Sequence, residues 1–473
     1  MSKTALKKKI FIKTYGCQMN VYDSDRIADL MASSGYIRTH TPELADMVVL
    51  NTCHIREKAS EKVYSELGRL AQLKEHKRSK GKEFIVALAG CVAQAEGEEV
   101  RRRSPCVDIV VGPQTYHRLP EMVVQSSTAN SLVLDTEFPI ISKFDSINTK
   151  LSSAGDVCST SAFLTVQEGC NRFCSFCVVP YTRGAEYSRS VGEIFSEAEK
   201  LVANGAKEII LLGQNVNAYH GIGIDGVEVG LEGLIQYLSE IKDLLRIRYT
   251  TSHPKDMTDS LIQAHRDIPK LMPFLHLPVQ SGSDEILAAM NRQHTASYYM
   301  KIIEKLRNVR EDIAFSSDFI VGYPGETDAD FKSTLELIKS VEFAQSYSFK
   351  FSARPGTPAA DLKGQIPEEL KKERLSELQG LLDKQQRAFN LSCLNLELPV
   401  LLEREDKDKQ KISGRTPYMQ WVNIQKNQEC IGELSNVIIT QDYAKSLSGK
   451  VSCHSKSELA ISSIEDRIQR VNI

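Results

Sequence analysis

The sequence predicts an α/β protein in three parts: an amino-terminal domain on a parallel sheet, a central partial (β/α)6 barrel, and a small all-β barrel at the carboxyl end. Three observations predict it. Strand-like and helix-like segments alternate from Ile10 to Phe351, a stretch rich in Ser, Thr and Asn interrupts the alternation over residues 126–155, and helical periodicity stops after Phe389. Alternation of this kind implies a mostly parallel sheet flanked by helices. At 473 residues the chain exceeds a single domain, for which roughly 150 residues is usual.

The first domain, residues 8–125, reads as strands over 10–14, 47–51 and 84–89, with helices over 24–33 and 57–73. Each strand runs into a cysteine: Tyr15-Gly16-Cys17, Asn51-Thr52-Cys53 and Ala89-Gly90-Cys91. Ligands bind at the carboxyl ends of strands in open α/β sheets, so three cysteines distant in sequence can meet there. A lone cysteine after a strand is ordinarily core packing, but three at equivalent strand ends form a candidate thiolate site. Residues 126–155 read as a linker.

The second domain, residues 156–390, shows strands over 163–167, 208–212, 247–251, 274–278, 315–321 and 346–351. Helices are expected over 191–204, 231–241, 258–265, 284–290, 297–309 and 328–341. Six repeats rather than eight favour a partial barrel. A charged helix over 368–389 then leads to residues 393–456, where runs at 398–402, 420–424 and 436–439 and the absence of long helices read as a small β-barrel. Residues 457–473 form a tail.

Composition excludes several classes. The hydrophobic fraction of 41% and charged fraction of 25% are those of an ordinary globular protein, and a net charge of −2 excludes a globally basic nucleic-acid binder. No stretch approaches the roughly 18 apolar residues of a membrane span. The lysine-rich start runs into strand-like Ile10-Phe11-Ile12 without an apolar signal core. A cytoplasmic protein with no membrane partner is expected. Its 11 cysteines therefore suggest metal binding rather than disulfides.

Cys170, Cys174 and Cys177 form C-x-x-x-C-x-x-C in the loop after the first barrel strand. Three thiolates in one short loop can ligate three irons of a 4Fe-4S cluster and leave the fourth open to a small molecule. Structural zinc, the alternative, takes four ligands in spaced pairs, and no fourth Cys or His lies nearby. Further candidates sit at barrel strand ends: Gly213, Gln214 and Asn215; Thr251, Ser252 and His253; Gln280; Gly322 and Glu326; and Arg354. His253 and His276 read as structural histidines. Cys106, Cys158, Cys393, Cys430 and Cys453 match no ligand motif. In the terminal barrel, Arg404, Lys407, Lys409, Lys411 and Arg415 lie near Tyr418 and Trp421, a mixture suited to phosphates and unpaired bases.

The cysteine spacing in the first βα loop resembles the radical S-adenosylmethionine superfamily, in which the cofactor binds the open iron and reductive cleavage yields a 5'-deoxyadenosyl radical. That resemblance places Phe176 near the adenine. The three-part chain as a whole resembles the methylthiotransferases, with the terminal barrel similar to a TRAM RNA-binding domain. The resemblance implies a second 4Fe-4S cluster on Cys17, Cys53 and Cys91, connected with sulfur delivery. Thr14-Tyr15-Gly16-Cys17-Gln18-Met19-Asn20, Asn51-Thr52-Cys53-His54-Ile55-Arg56, Cys177-Val178-Val179-Pro180-Tyr181-Thr182-Arg183-Gly184 and His276-Leu277-Pro278-Val279-Gln280-Ser281-Gly282-Ser283 are similar to the branch acting on isopentenylated adenosine in tRNA. Ala185 departs from it, since that branch more often has a basic residue there. The implied activity is conversion of N6-(dimethylallyl)adenosine at position 37, next to the anticodon, to its 2-methylthio derivative. All six cysteines are then catalytic. The implied partners are a tRNA anticodon stem-loop, an electron donor such as flavodoxin or ferredoxin, and a sulfur or iron-sulfur carrier, acting on a monomer. Two alternatives remain: the same chemistry on threonylcarbamoyl-adenosine tRNA or a ribosomal-protein aspartate, and a non-catalytic zinc-containing RNA-binding protein.

Overall fold

The computed structural model describes residues 7–53, 57–129, 132–139, 143–146, 159–407 and 410–452. Cys158, Cys453, Lys409, part of the expected linker and the 457–473 tail lie outside these residues. The chain divides into two compact units, residues 1–389 and 390–473.

The first unit opens with a six-stranded parallel sheet in the order Tyr36–Arg38, Lys8–Thr14, Met47–Thr52, Ile85–Gly90, Ile109–Val111, Val133–Asp135. Strands Met47–Thr52 and Ile85–Gly90 are buried at every position, because helices cover both faces. Alternate residues serve the two faces. Val49 and Ala87 join Ile27, Met31 and Met122, whereas Val48, Leu50 and Leu88 join Val63, Leu67 and Leu70 of helix Glu57–Arg78. The first helix runs Gln18–Ser33, a turn and a half earlier than its apolar pattern suggests. Asn20, Asp23 and Ser24 are buried in that turn and mask its periodicity. Tyr36–Arg38, Ile109–Val111 and Val133–Asp135 are too short to show a period of two. The last falls inside the stretch read as linker, where it pairs with Ile109–Val111.

Register explains why the cysteines can meet. Thr14 pairs with Asn51, and Thr52 with Gly90, so three adjacent strands end level with one another. The glycines before Cys17 and Cys91 permit the convergence. Gly16 has φ +111° and a Cβ there would lie 2.1 Å from Cys53 Cβ; Gly90 has φ +90° and its Cβ would lie 2.3 Å from the Thr52 carbonyl oxygen. Neither position tolerates a side chain.

The barrel follows as two three-stranded parallel sheets. Ser161–Thr165, Glu208–Leu212 and Arg246–Tyr249 form one, and Phe274–His276, Ala314–Val321 and Gln345–Lys350 the other, with a bridge between Ile247 and Leu271 at the seam. Side-chain caps from Ser190, Thr258, Ser283, Thr295 and Thr327 start the intervening helices, satisfying amides that have no intrahelical partner. Helix Glu368–Ser392 leads the chain onward.

The second unit is a closed barrel of five strands in the order Glu397–Glu405, Lys411–Arg415, Trp421–Gln425, Ser446–Val451, Leu434–Tyr443. Closure leaves no sheet edge unpaired. Lys411–Arg415 and Ser446–Val451 escape the sequence pattern because Ser413, Gly414, Ser448 and Gly449 dilute it. Trp421 lies between two guanidiniums, Arg404 at 4.0 Å and Arg415 at 4.5 Å from the ring. The ring expected to stack on bases is thus held by cation–π contacts. Among the described residues no helix is long and apolar enough to cross a membrane.

The glycine geometry makes a prediction. Gly90→Ala combines a forbidden φ with a clash against backbone and should cost about 2 kcal/mol or more. Gly35→Ala, also at positive φ but with open space around it, should cost only about 1 kcal/mol. Urea unfolding of both variants measures the difference.

Candidate functional site

The strand-end cysteines are fixed by buried amides. Asn20 Nδ2 donates to Asn51 Oδ1 at 3.1 Å and to the Thr52 carbonyl at 2.9 Å, while Asn51 Nδ2 returns a bond to the Asn20 carbonyl at 2.8 Å. Cys17 Sγ donates to Asn20 Oδ1 at 3.2 Å. A hydrogen bond with Cys53, against the opposing effect of burial and with help from the Arg183 guanidinium, lowers the Cys17 thiol to about 6. Burial raises Cys91, with Arg183 pulling the other way. Thiolate is the ligating form of cysteine, and a buried cation beside the triad favours it.

The second triad is held as firmly. Gln167 accepts the Gln214 amide at 2.9 Å and donates to the Gly169 carbonyl at 2.7 Å, and Gln214 in turn accepts the Gly169 amide at 2.6 Å. Within the loop, Ser175 Oγ donates to the Ala289 carbonyl at 2.9 Å and lies 2.7 Å from the Tyr323 hydroxyl. Arg292, buried, donates to Cys174 Sγ at 3.5 Å and to the Pro278 carbonyl at 2.6 Å. Burial raises Cys170 to about 11 and Cys177 to about 12.

Both triads line one cavity of about 320 Å³, a size within the small-molecule range of about 300–1,000 Å³. All six cysteines face it, together with Phe176, Gly213, Gln214, Ser252 and Gln280. Gly322, Glu326 and Arg354 are not among its lining residues. Glu326 is drawn away by Arg374 at 2.7 Å and accepts the Gly322 amide at 2.7 Å, and the Arg354 carbonyl caps Thr357. Thr251 and Gln280 hold positive φ values of 69° and 78° in the wall, a strain that marks functional sites.

The donor chemistry fits the groups the cysteine motif implies. Each triad offers thiols on separate backbone segments or turns. Among the described residues no three His, Cys, Asp or Glu side chains are grouped to hold one metal ion. A four-iron cluster binds each thiolate at a different iron and so needs a wider set. Asn215 Oδ1, Ser252 Oγ and His253 Nε2 are buried in the cavity wall with no hydrogen-bond partner. Such groups are costly unless a ligand pairs them, and they suit the polar substituents of a bound cofactor. Burial, reinforced by Arg292, holds His253 far below the ordinary range of a histidine and therefore neutral.

Sequence reasoning missed what holds the two halves together. Asp23, from the first helix, meets Arg183 at 2.7 Å and Lys143 at 3.5 Å; Glu168, from the barrel, meets the same two cations at 2.5 and 2.8 Å. All four are buried, and charge balances. Beside them Glu197 takes Arg189 at 2.8 Å, Arg26 at 3.6 Å and the Tyr22 hydroxyl at 3.1 Å. Asp23, Arg26 and Tyr22 belong to the sheet domain, Glu168, Arg183, Glu197 and Arg189 to the barrel. A buried Arg has no sequence mark that separates it from an exposed one, and only its place six residues after Cys177 singles out Arg183.

Three family models match the chain: Uncharacterized protein family UPF0004 over residues 9–112, Radical SAM superfamily over 164–338, and TRAM domain over 392–452. Solved structures similar to it include the radical S-adenosylmethionine methyltransferase TsrM from Kitasatospora setae with cobalamin and a [4Fe-4S] cluster bound. That match has a TM-score of 0.53 at 12% identity and covers 75% of this chain and 74% of that one. The same enzyme with tryptophan and a cofactor analogue gives 0.55 at 11%, covering 75% of each chain. The cobalamin-dependent radical enzyme OxsB gives 0.50 at 12%, covering 80% of this chain and 56% of that one. These likenesses concern the fold. The fold and the cysteine loop define a radical S-adenosylmethionine enzyme. Since the three matched domains together mark one family, the chain belongs to the methylthiotransferases.

Two predictions concern the seam. Lys143→Met leaves the two carboxylates with one cation, and removal of a partner from a buried ionic group should cost about 3–5 kcal/mol, read by chemical unfolding. Burial pushes the Glu197 carboxyl up, but Arg189 and Arg26 outweigh it and hold it below its ordinary 4.5. A depressed folded value gives stability that is complete above about pH 4.5 and is lost progressively below it, as the pH falls through the lower folded value. Glu197→Gln should therefore be less stable at neutral pH and show a flatter acid limb in its stability profile.

Proposed function

We propose that this protein is a tRNA methylthiotransferase that converts N6-(dimethylallyl)adenosine at position 37 to its 2-methylthio derivative, with Cys170, Cys174 and Cys177 holding the radical-forming 4Fe-4S cluster and Cys17, Cys53 and Cys91 an auxiliary one. The observation that carries the reading is that two cysteine triads from differently built domains line a single cavity. The branch rests on the resemblance of the stretches around Cys17, Cys53, Cys177 and Gln280. Domain bounds of 8–125, 156–390 and 393–456 accompany it.

When bound, the clusters and S-adenosylmethionine supply one-electron cleavage, a hydrogen-abstracting carbon radical, a methyl group and sulfur. A radical is the fitting reagent because the C2–H of adenine is too weakly acidic for a side-chain base at neutral pH. The chain's own residues bind and orient. Arg292 donates a hydrogen bond to the Cys174 sulfur and so fixes its orientation in the loop. Asn215, Ser252 and His253 present unpaired polar atoms to the cofactor. His253, neutral, offers a hydrogen bond without competing as a cation. The Arg183 guanidinium acts electrostatically on Cys91 and Cys17 and would offset thiolate charge at the auxiliary site. The TRAM barrel and an anticodon stem-loop are partners in this reading. An electron donor such as flavodoxin or ferredoxin and a sulfur carrier complete the cycle in the cytoplasm.

Anaerobic turnover with S-adenosylmethionine, reductant and isopentenylated tRNA tests the division of labour. Cys174→Ala should abolish deoxyadenosine formation, whereas Cys17→Ala should retain cofactor cleavage and lose the methylthio nucleoside, both followed by mass spectrometry. Loss of all cleavage in Cys17→Ala, or a methylthio product found only on threonylcarbamoyl-adenosine or a ribosomal protein, would sink the reading.

A further inference from the structure

We infer that a basic cleft on the outside of the barrel binds the phosphate backbone of the RNA whose base enters the cavity, an inference that rests on the tRNA reading above. Helices Asp259–Asp267 and Ala296–Val309 enclose a cleft of about 270 Å³. Ile262 and Ile302 line its apolar part, and Tyr298, Lys301, Lys305 and Asp259 its polar part. Lys255 reaches over the Tyr298 ring, its ammonium 5.2 Å from the centroid.

Charge decides what such a cleft can hold. Two lysines, Lys301 and Lys305, line the cleft with one carboxylate, Asp259, which Lys305 takes at 2.6 Å, and Lys255 stands at its edge over Tyr298. Among the described residues neither Lys255 nor Lys301 has an ion-pair partner, although the chain as a whole carries net negative charge. Exposed lysines without counter-charge bind phosphate as point charges, and a nucleic-acid backbone they neutralise releases its condensed counterions.

Position ties the cleft to the reaction. Lys255 lies two residues beyond His253, which lines the cavity. The turn between them, Pro254–Asp256, is anchored at Asp256, which accepts Arg172 Nε at 3.0 Å and Asn215 Nδ2 at 2.8 Å. Arg172 and Asn215 also line the cavity, so one rigid turn sets both the cavity wall and the lysine. Both helices begin where barrel strands end, the end at which barrel enzymes bind their substrates. A stem whose loop delivers a base to the cavity therefore has its backbone within reach of the cleft.

The test is equilibrium binding of the isopentenylated anticodon stem-loop over a range of salt concentrations, with wild-type protein, Lys255→Gln, Lys301→Gln and the double variant. Phosphate contacts release counterions, so each substitution should reduce the slope of log K against log salt by about one, and the double variant should bind about tenfold more weakly. An unmodified stem-loop should lose the same factor, since backbone contacts carry no base information. Cofactor cleavage without RNA should be unchanged in all variants, which verifies their fold. An unchanged slope and affinity in the double variant overturns the inference while leaving the tRNA reading intact. Absence of salt-dependent binding by the wild type overturns that reading and the inference with it.

Discussion

Four charges without water, Asp23, Glu168, Lys143 and Arg183, close the seam between the parallel-sheet domain and the barrel, and the meeting of the two cysteine triads depends on them. Buried ion pairs seldom add net stability over an apolar replacement, because desolvation offsets the attraction. What they add is geometry. Each carboxylate accepts both cations, and the partners come from different domains, so neither domain can slide without stranding a charge. Glu197, shared by Arg189 and Arg26, repeats the device one step away.

The same seam joins structure to chemistry. Arg183 ends the short helix that follows Cys177, yet its guanidinium acts electrostatically on Cys91 and Cys17. The charge environment of one triad is therefore supplied by the domain that carries the other. Both triads line a single cavity, and the unpaired polar atoms of Asn215, Ser252 and His253 in its wall suit it to a polar ligand.

Much of this was legible in the sequence, and the exceptions have physical causes. The six barrel strands and their helices follow from regular periodicity, and the strand-end placement of Cys17, Cys53 and Cys91 follows from the rule that parallel strands bind ligands at their carboxyl ends. The strands Tyr36–Arg38, Ile109–Val111 and Val133–Asp135 were hidden by their length. The first turns of helix Gln18–Ser33 were hidden because buried polar Asn20, Asp23 and Ser24, which serve the cysteine loop and the seam, interleave with apolar Met19 and Tyr22. Gly322 and Glu326 stand at a strand end as expected, and the pairing of Glu326 with Arg374 of a later helix is a contact set by tertiary structure alone. The burial of Arg183 and Arg292 was not legible because a charged side chain reads as solvated until its surroundings are known.

The central claim is that the two triads hold two separate clusters in one cavity, and iron and sulfide stoichiometry with Mössbauer spectroscopy of anaerobically purified protein tests it most directly. The account predicts about eight irons per chain in the wild type, as two four-iron clusters, and about four when either triad is replaced by alanine. About four irons in the wild type and the same number after loss of Cys17, Cys53 and Cys91, or zinc in place of iron and sulfide, would contradict it.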